Sequence, residues 1–216
     1  MYTFTSFFHS IGRYAGTSIR LIAFATATLW LSACGLLEVQ RSGSTASSVP
    51  ALANFPDTEE AQLKSLILAM RDLLNLSSDI ARTQFAKRLP SHNPNQDERW
   101  MQIALQLGNL QRLPEQTTRT FMQGQIEAVN FAKRGLFAVW EKEPSKLALK
   151  PQIDTIAENQ IGELIQSFAR AQAALKIQGA RAAIEAIALM EMPNRTSLSE
   201  PTRKLAIGPL LRMAAP

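Results

Sequence analysis

Apolar residues recur at helical spacing along most of this chain, and no stretch bounded by turn signals alternates in the two-residue rhythm of a half-buried strand. From Asp57 to about Lys87 they fall at Leu63, Leu66, Ile67, Met70, Leu73, Leu74, Ile80 and Ala81, and Asp57 with Glu60 forms a D-x-x-E start signal. One long first helix follows from that pattern. Asn93-Pro94 opens a second through Trp100, Ile103, Ala104 and Leu107, closing at Gly108 or shortly after it. Pro114 opens a third, with Phe121, Ile126, Val129, Ala132, Lys133, Leu136 and Trp140 in period up to a stop at Glu143-Pro144. Lys150-Pro151 opens a fourth through Ile153, Ile156, Ile161, Leu164, Ile165 and Phe168, and Gly179 separates it from an Ala-rich fifth, Ala180 to Met192. Beyond Pro193, with Pro201 and Pro209 and little periodicity, a docked or frayed tail is expected. The class is all-α, a bundle of about five helices.

The first fifty residues follow another logic. Arg13 and Arg20 precede an uncharged stretch, Leu21 to Leu31, too short to remain as a membrane-spanning helix but suited to the apolar region of a signal peptide. Leu31-Ser32-Ala33-Cys34 directly after it reads as a lipobox, the cleavage and acylation motif of bacterial lipoproteins. Resemblance to that class implies removal of residues 1–33, a diacylglycerol on Cys34 and a further acyl chain on its new amino group; two or more chains anchor stably where one is marginal. Gly35 stands where an inner-membrane retention signal would carry Asp, so the sorting rule favours the outer membrane, with the domain facing the periplasm. Residues 34–56, rich in Ser, Thr, Ala and Gly, read as a flexible tether, 57–192 as the helical domain and 193–216 as the tail.

Composition narrows the chemistry. Cys34 is the single cysteine, so no disulfide holds the domain and, once lipidated, it leaves no thiol nucleophile. Lys and Arg total 23 against 18 acidic residues, and losing Arg13 and Arg20 with the signal leaves a mild excess that argues for neither nucleic acid nor a polybasic membrane patch. His9 falls in the signal and His92 in a loop, so no histidine pair has metal or triad spacing, and no glycine-rich phosphate loop occurs. No metal and no cofactor is called for. Lys87-Arg88 reads as a solvated helix end.

The third helix, Gln125-Ile126-Glu127-Ala128 onward to Trp140, resembles the Q-I-E-A…W segment of the secreted, gamma-type AroQ chorismate mutases. Ser78-Asp79-Ile80-Ala81 is similar to that family's D-x-V-A stretch, with Phe85 where it has Trp and then Leu89-Pro90; Lys150-Pro151-Gln152-Ile153-Asp154 resembles its R-P-x-L-D opening of the fourth helix. The match runs roughly from Ala61 to Leu175. It implies an all-helical domain with its pocket among the helices, secreted forms that are often homodimers, and conversion of chorismate to prephenate without a cofactor. Chorismate is a dianion that rearranges in one pericyclic step, so catalysis comes from holding the compact conformer and stabilising negative charge building on the ether oxygen. The family uses arginines on the two carboxylates and a Lys plus a Gln or Glu on that oxygen.

Carried over by position, the register places Leu73 at the first-helix arginine, Gln84 at the lysine, Val129 at a small hydroxyl position, Lys133 at the Gln or Glu, and Asn159 at a carboxylate-binding arginine. Arg99 is retained by type. Gln84 and Lys133 are thus the family's Lys and Gln exchanged between helices, which keeps two donors for one oxygen. Arg71 and Arg82, eleven residues apart and nearly on one helical face, could supply carboxylate contacts if the first helix were rotated or slipped. Two functions follow: a lipid-anchored mutase with Lys133 and Gln84 as catalytic groups and Arg99, Arg71 and Arg82 binding substrate, or a non-catalytic descendant whose pocket or surface takes another ligand or an envelope partner.

Overall fold

The computed structural model describes residues 55–142, 152–195 and 198–216. These residues form six α-helices and no strand: α1 (Asp57–Ala86), α2 (Pro94–Leu110), α3 (Glu115–Lys142), α4 (Ile153–Arg170), α5 (Ala180–Glu191) and α6 (Glu200–Met213), with a 3₁₀ turn at Ala174–Lys176. The lipobox, the tether up to Asn54, and the stop at Glu143-Pro144 and start at Lys150-Pro151 lie outside the described residues.

Local chemistry sets the helix ends. Asp57 lies inside α1, not at its cap; Pro56 occupies that position without a side-chain hydrogen bond, so Asp57, Glu59 and Glu60 act on the exposed N–H groups through the helix dipole. At α2 the Asn93 carboxamide accepts from the Gln96 N–H at 3.4 Å, and Pro94 takes the first turn, where its missing N–H costs nothing. Both α1 and α2 close with a residue in the left-handed region, Arg88 (φ 56°) and Arg112 (φ 58°). Leu89 N–H then reaches the Gln84 carbonyl at 2.9 Å and Leu113 N–H reaches Gly108 at 2.9 Å, which satisfies carbonyls the helix itself leaves free.

The central element is α1, which packs on α3, α4 and α5. Leu63, Leu66, Ile67, Met70, Leu73 and Leu74 are all fully buried, and the ring of Phe121 on α3 stacks on Phe168 of α4 at 4.0 Å between centroids. A smaller cluster, Ala81, Leu136 and Phe137 with Phe85 and Trp140 against it, joins the far ends of α1 and α3.

The stretch expected as a docked or frayed tail is the sixth helix, packed on α3 and α5. Ser199 caps it by accepting from Thr202 N–H at 3.4 Å, and Pro201 sits in its first turn. Pro209, inside the helix, removes one backbone donor. The buried Gln125 amide braces the same turn by donating to the Ala206 carbonyl at 2.8 Å. The chain then returns to α5, where Gly179 N–H bonds Pro216 O at 2.8 Å and Arg181 N–H bonds Ala215 O at 3.2 Å, satisfying donors that the start of a helix leaves open.

The α3–α6 crossing is possible because Gly124 carries no side chain: a Cβ there would lie 2.4 Å from Cγ of Pro209. A pyrrolidine ring cannot swing aside, so Gly124→Ala should cost about 1–3 kcal/mol of stability as overpacking. Urea unfolding of Gly124→Ala in the native and in a Pro209→Ala background checks this; an equal loss in both would place the strain elsewhere.

Candidate functional site

On α3 the inward face turns polar at Asn130 and Lys133, one turn apart, and on α1 it turns polar at Thr83 and Gln84. Lys133 is 0 % exposed and its Nζ has no hydrogen-bond partner; Oε1 of Gln84 and Oδ1 of Asn130 are likewise buried and unpartnered. Two chains of hydrogen bonds lead from these side chains to the first turn of α2. Gln84 Nε2 donates to Gln96 Oε1 at 3.2 Å, and Gln96 Nε2 donates to Asp154 Oδ1 of α4 at 3.2 Å. Asn130 Nδ2 donates to Asp97 Oδ2 at 2.8 Å, and the same oxygen lies 3.3 Å from His92 Nδ1. Because Gln96 and Asp97 are consecutive, α2 joins Gln84 of α1 and Asn130 of α3 in one polar locus.

The Lys133 ammonium is lowered to a pKa of about 8, and burial is the largest cause. Within that net shift the carboxylate of Asp97 acts upward and the adjacent Arg134 guanidinium acts downward. A desolvated amine without a partner is costly to keep and is characteristic of sites that bind or react.

The arginines are arranged differently. Arg99 is exposed and forks onto Glu158, with Nε 2.8 Å and Nη2 3.0 Å from its carboxylate oxygens. It lines a cleft of about 220 Å³ between α2 and α4, along with Gln96, Trp100, Asp154 and Glu158. Through Gln96 and Asp154 this cleft adjoins the buried locus. Arg71 pairs with Asp72 at 3.0 Å and with Glu191 of α5 at 3.6 Å, in a separate cleft shared with Asn75 and Arg195. Arg82 sits 3.5 Å from Asp79. The structure therefore brings Gln84, Lys133 and Arg99 to neighbouring places and leaves Arg71 and Arg82 in other pairings. Leu73 and Val129 are fully buried in the core, and Asn159 is exposed. Cys34 lies outside the described residues.

Sequence reasoning passed over Gln96, Asp97, Asn130, Asp154 and Glu158. Asn130 had a signal, being one turn before Lys133 on the same inward face; the acidic residues looked like ordinary helix-start charges. Among the described residues no cluster of His, Cys, Asp and Glu is placed to hold a metal ion, and no helix is long and apolar enough to cross a membrane.

No protein-family model matches the chain, and no curated protein matches it. Solved structures do. A chorismate mutase from Burkholderia thailandensis superposes with a TM-score of 0.63 at 15 % identity, covering 69 % of this chain and 99 % of that one. A chorismate mutase from Burkholderia phymatum gives 0.59 at 14 % identity, covering 71 % and 98 %. The chain thus has an all-α, chorismate-mutase-like fold.

Because the pKa of Lys133 falls from 10.5 to about 8 on folding, the unfolded chain holds more protons between those values. Stability should be lowest and flat below about pH 8 and rise as the pH climbs towards 10.5. Lys133→Met should abolish that rise and stabilise the domain near neutral pH by about 1–4 kcal/mol. Urea midpoints on both sides of the window test this, and a destabilised, still pH-dependent Met variant would contradict it.

Proposed function

We propose that this chain is a lipid-anchored protein of the bacterial envelope whose chorismate-mutase-like pocket holds a small anionic ligand on Lys133, and that the reaction this pocket serves is conversion of chorismate to prephenate. The observation that carries it is the Lys133 ammonium, fully buried, with no partner, beside the unpartnered carboxamide oxygens of Gln84 and Asn130. A group so desolvated binds an anionic oxygen far more strongly than an exposed lysine does. The oxygen that gains charge in the pericyclic transition state is such a partner. Gln84, turned from Gln96 to the ligand, supplies the second donor. The similar Burkholderia structures are chorismate mutases, which supports the reaction class without fixing the substrate.

A second reading is favoured by what surrounds Lys133. Leu73 fills a core position where the family resemblance expects an arginine, Asn159 faces solvent, Arg99 is already forked onto Glu158, and Asp97 and Asp154 add negative charge. That arrangement suits a non-catalytic descendant binding a different ligand or an envelope partner.

Chorismate depletion by the domain from Ala51 to Pro216 separates the two. Turnover above background, with kcat reduced about 10²- to 10³-fold in Lys133→Ala and KM little changed, establishes the mutase, since the lost contact strengthens only as charge develops. Background rates together with no binding of a prephenate-like dianion establish the non-catalytic reading. For the anchor, the motif Leu31-Ser32-Ala33-Cys34 predicts labelling by a clickable fatty acid in cells and its loss in Cys34→Ala; undiminished labelling of that variant refutes lipidation at Cys34.

A further inference from the structure

Two arginines, Arg88 and Arg134, take no part in the ion pairing that engages Arg71, Arg82, Arg99 and Arg119; neither has a carboxylate partner among the described residues. Both line one open cleft of about 560 Å³, between the turn that closes α1 and the last turns of α3. The remaining wall mixes Leu89, Pro90, Phe137 and Ala138 with Ser91, and its one acidic residue, Glu141, pairs with neither guanidinium. Leu89 is 44 % exposed, so its side chain is open to the cleft beside two arginines without ion-pair partners among the described residues.

The cleft is built on fixed parts. Phe137 meets Phe85 edge-on at 5.2 Å, and Phe85 meets Trp140 at 5.6 Å, so the floor is the top of the smaller core cluster. The Arg88 backbone is held by its own N–H on the Phe85 carbonyl at 3.0 Å and by the next N–H on Gln84. Arg134 lies over the Phe131 ring at 5.8 Å, which restrains its side chain. Lys87-Arg88, which as sequence looks like a solvated helix end, thus contributes one of two convergent cations.

We propose that this cleft is a second binding site, for a small amphipathic anion that places one carboxylate or phosphate on Arg88 and Arg134 and its apolar body on Phe137, Leu89 and Ala138. Planar guanidinium groups suit such oxyanions, and the aromatic floor gives the body a partner that water does not. The site is distinct from the Lys133 locus but speaks to it. Arg134 is one of the charges that disfavour the Lys133 ammonium, so an anion on Arg134 offsets that repulsion and favours the charged lysine.

The test is calorimetric titration of the full chain in phosphatidylcholine nanodiscs with 3-phenylpropionate and its uncharged amide. The acid should bind saturably below about 10 mM, and loss of a charged hydrogen bond in Arg88→Gln or Arg134→Gln should weaken it about tenfold or more, as should the amide. Circular dichroism shows whether these variants keep the helical fold, and Lys133→Ala should still bind the acid. Suppression of binding when phosphatidylglycerol replaces part of the phosphatidylcholine identifies a lipid headgroup as the source of the anion, and unchanged affinity a soluble one; both support the site. Equal affinity for acid and amide, unaltered affinity in both arginine variants, or loss of binding in Lys133→Ala overturns it.

Discussion

Everything in this fold hangs on the burial of α1 against three neighbours at once. A helix that meets α3, α4 and α5 needs a wide apolar surface, and α1 supplies it from Leu63 to Leu74 with side chains fully removed from water. Past that point the apolar supply thins. Ser77, Thr83 and Gln84 are buried there, as are Asn130 and Lys133 of α3, so the helix that makes the core also buries polar groups at its far end. Hydrophobic packing above the locus and the aromatic cluster of Phe85, Phe137 and Trp140 beyond it keep water out. That exclusion, not any one hydrogen bond, gives the Lys133 ammonium its altered proton affinity.

The same constraint accounts for the parts of the structure that were legible as sequence. Five helices follow from apolar period and from Pro, Gly and Asn punctuation, since those signals are local and the core rewards them directly. Placement of Lys133 on an inward face was legible for the same reason, as it falls on an apolar stripe; Gln84 was reached only through the family register. What escaped was non-local. Pro209 inside α6 reads as a breaker, and only Gly124, more than eighty residues earlier, provides the space that makes a helix there worth forming. The pairing of Arg99 with Glu158 and of Asn130 with Asp97 likewise depends on how α2 lies on α4 and α3, which no spacing within one helix encodes.

Sequence resemblance and the fold agree on the helical frame, while the side chains set in that frame differ from the family pattern. At 14–15 % identity the Burkholderia enzymes share a helical frame with this chain, and a frame is kept by volume and pattern, which many residues satisfy. A binding site is kept by particular atoms. Leu73 shows the difference: an aliphatic side chain there serves the core, at a position where the family resemblance expects an arginine.

Charge then decides what the pocket can hold. For the ligand proposed at Lys133, Asp97, Asp154 and Glu158 are the neighbouring negative charges, with Arg99 already committed to Glu158. Two like charges about 4 Å apart at the effective dielectric of a partly buried site repel by about 4 kcal/mol, a factor of several hundred in affinity. One buried cation balances one negative charge. On the proposed reading the locus suits a single anionic oxygen, and Arg99 would have to give up Glu158 to meet a second carboxylate. On that reading the Arg99–Glu158 pair separates mutase from non-catalytic binder, because an Arg99 freed from Glu158 would supply a cation that the position held by Leu73 does not.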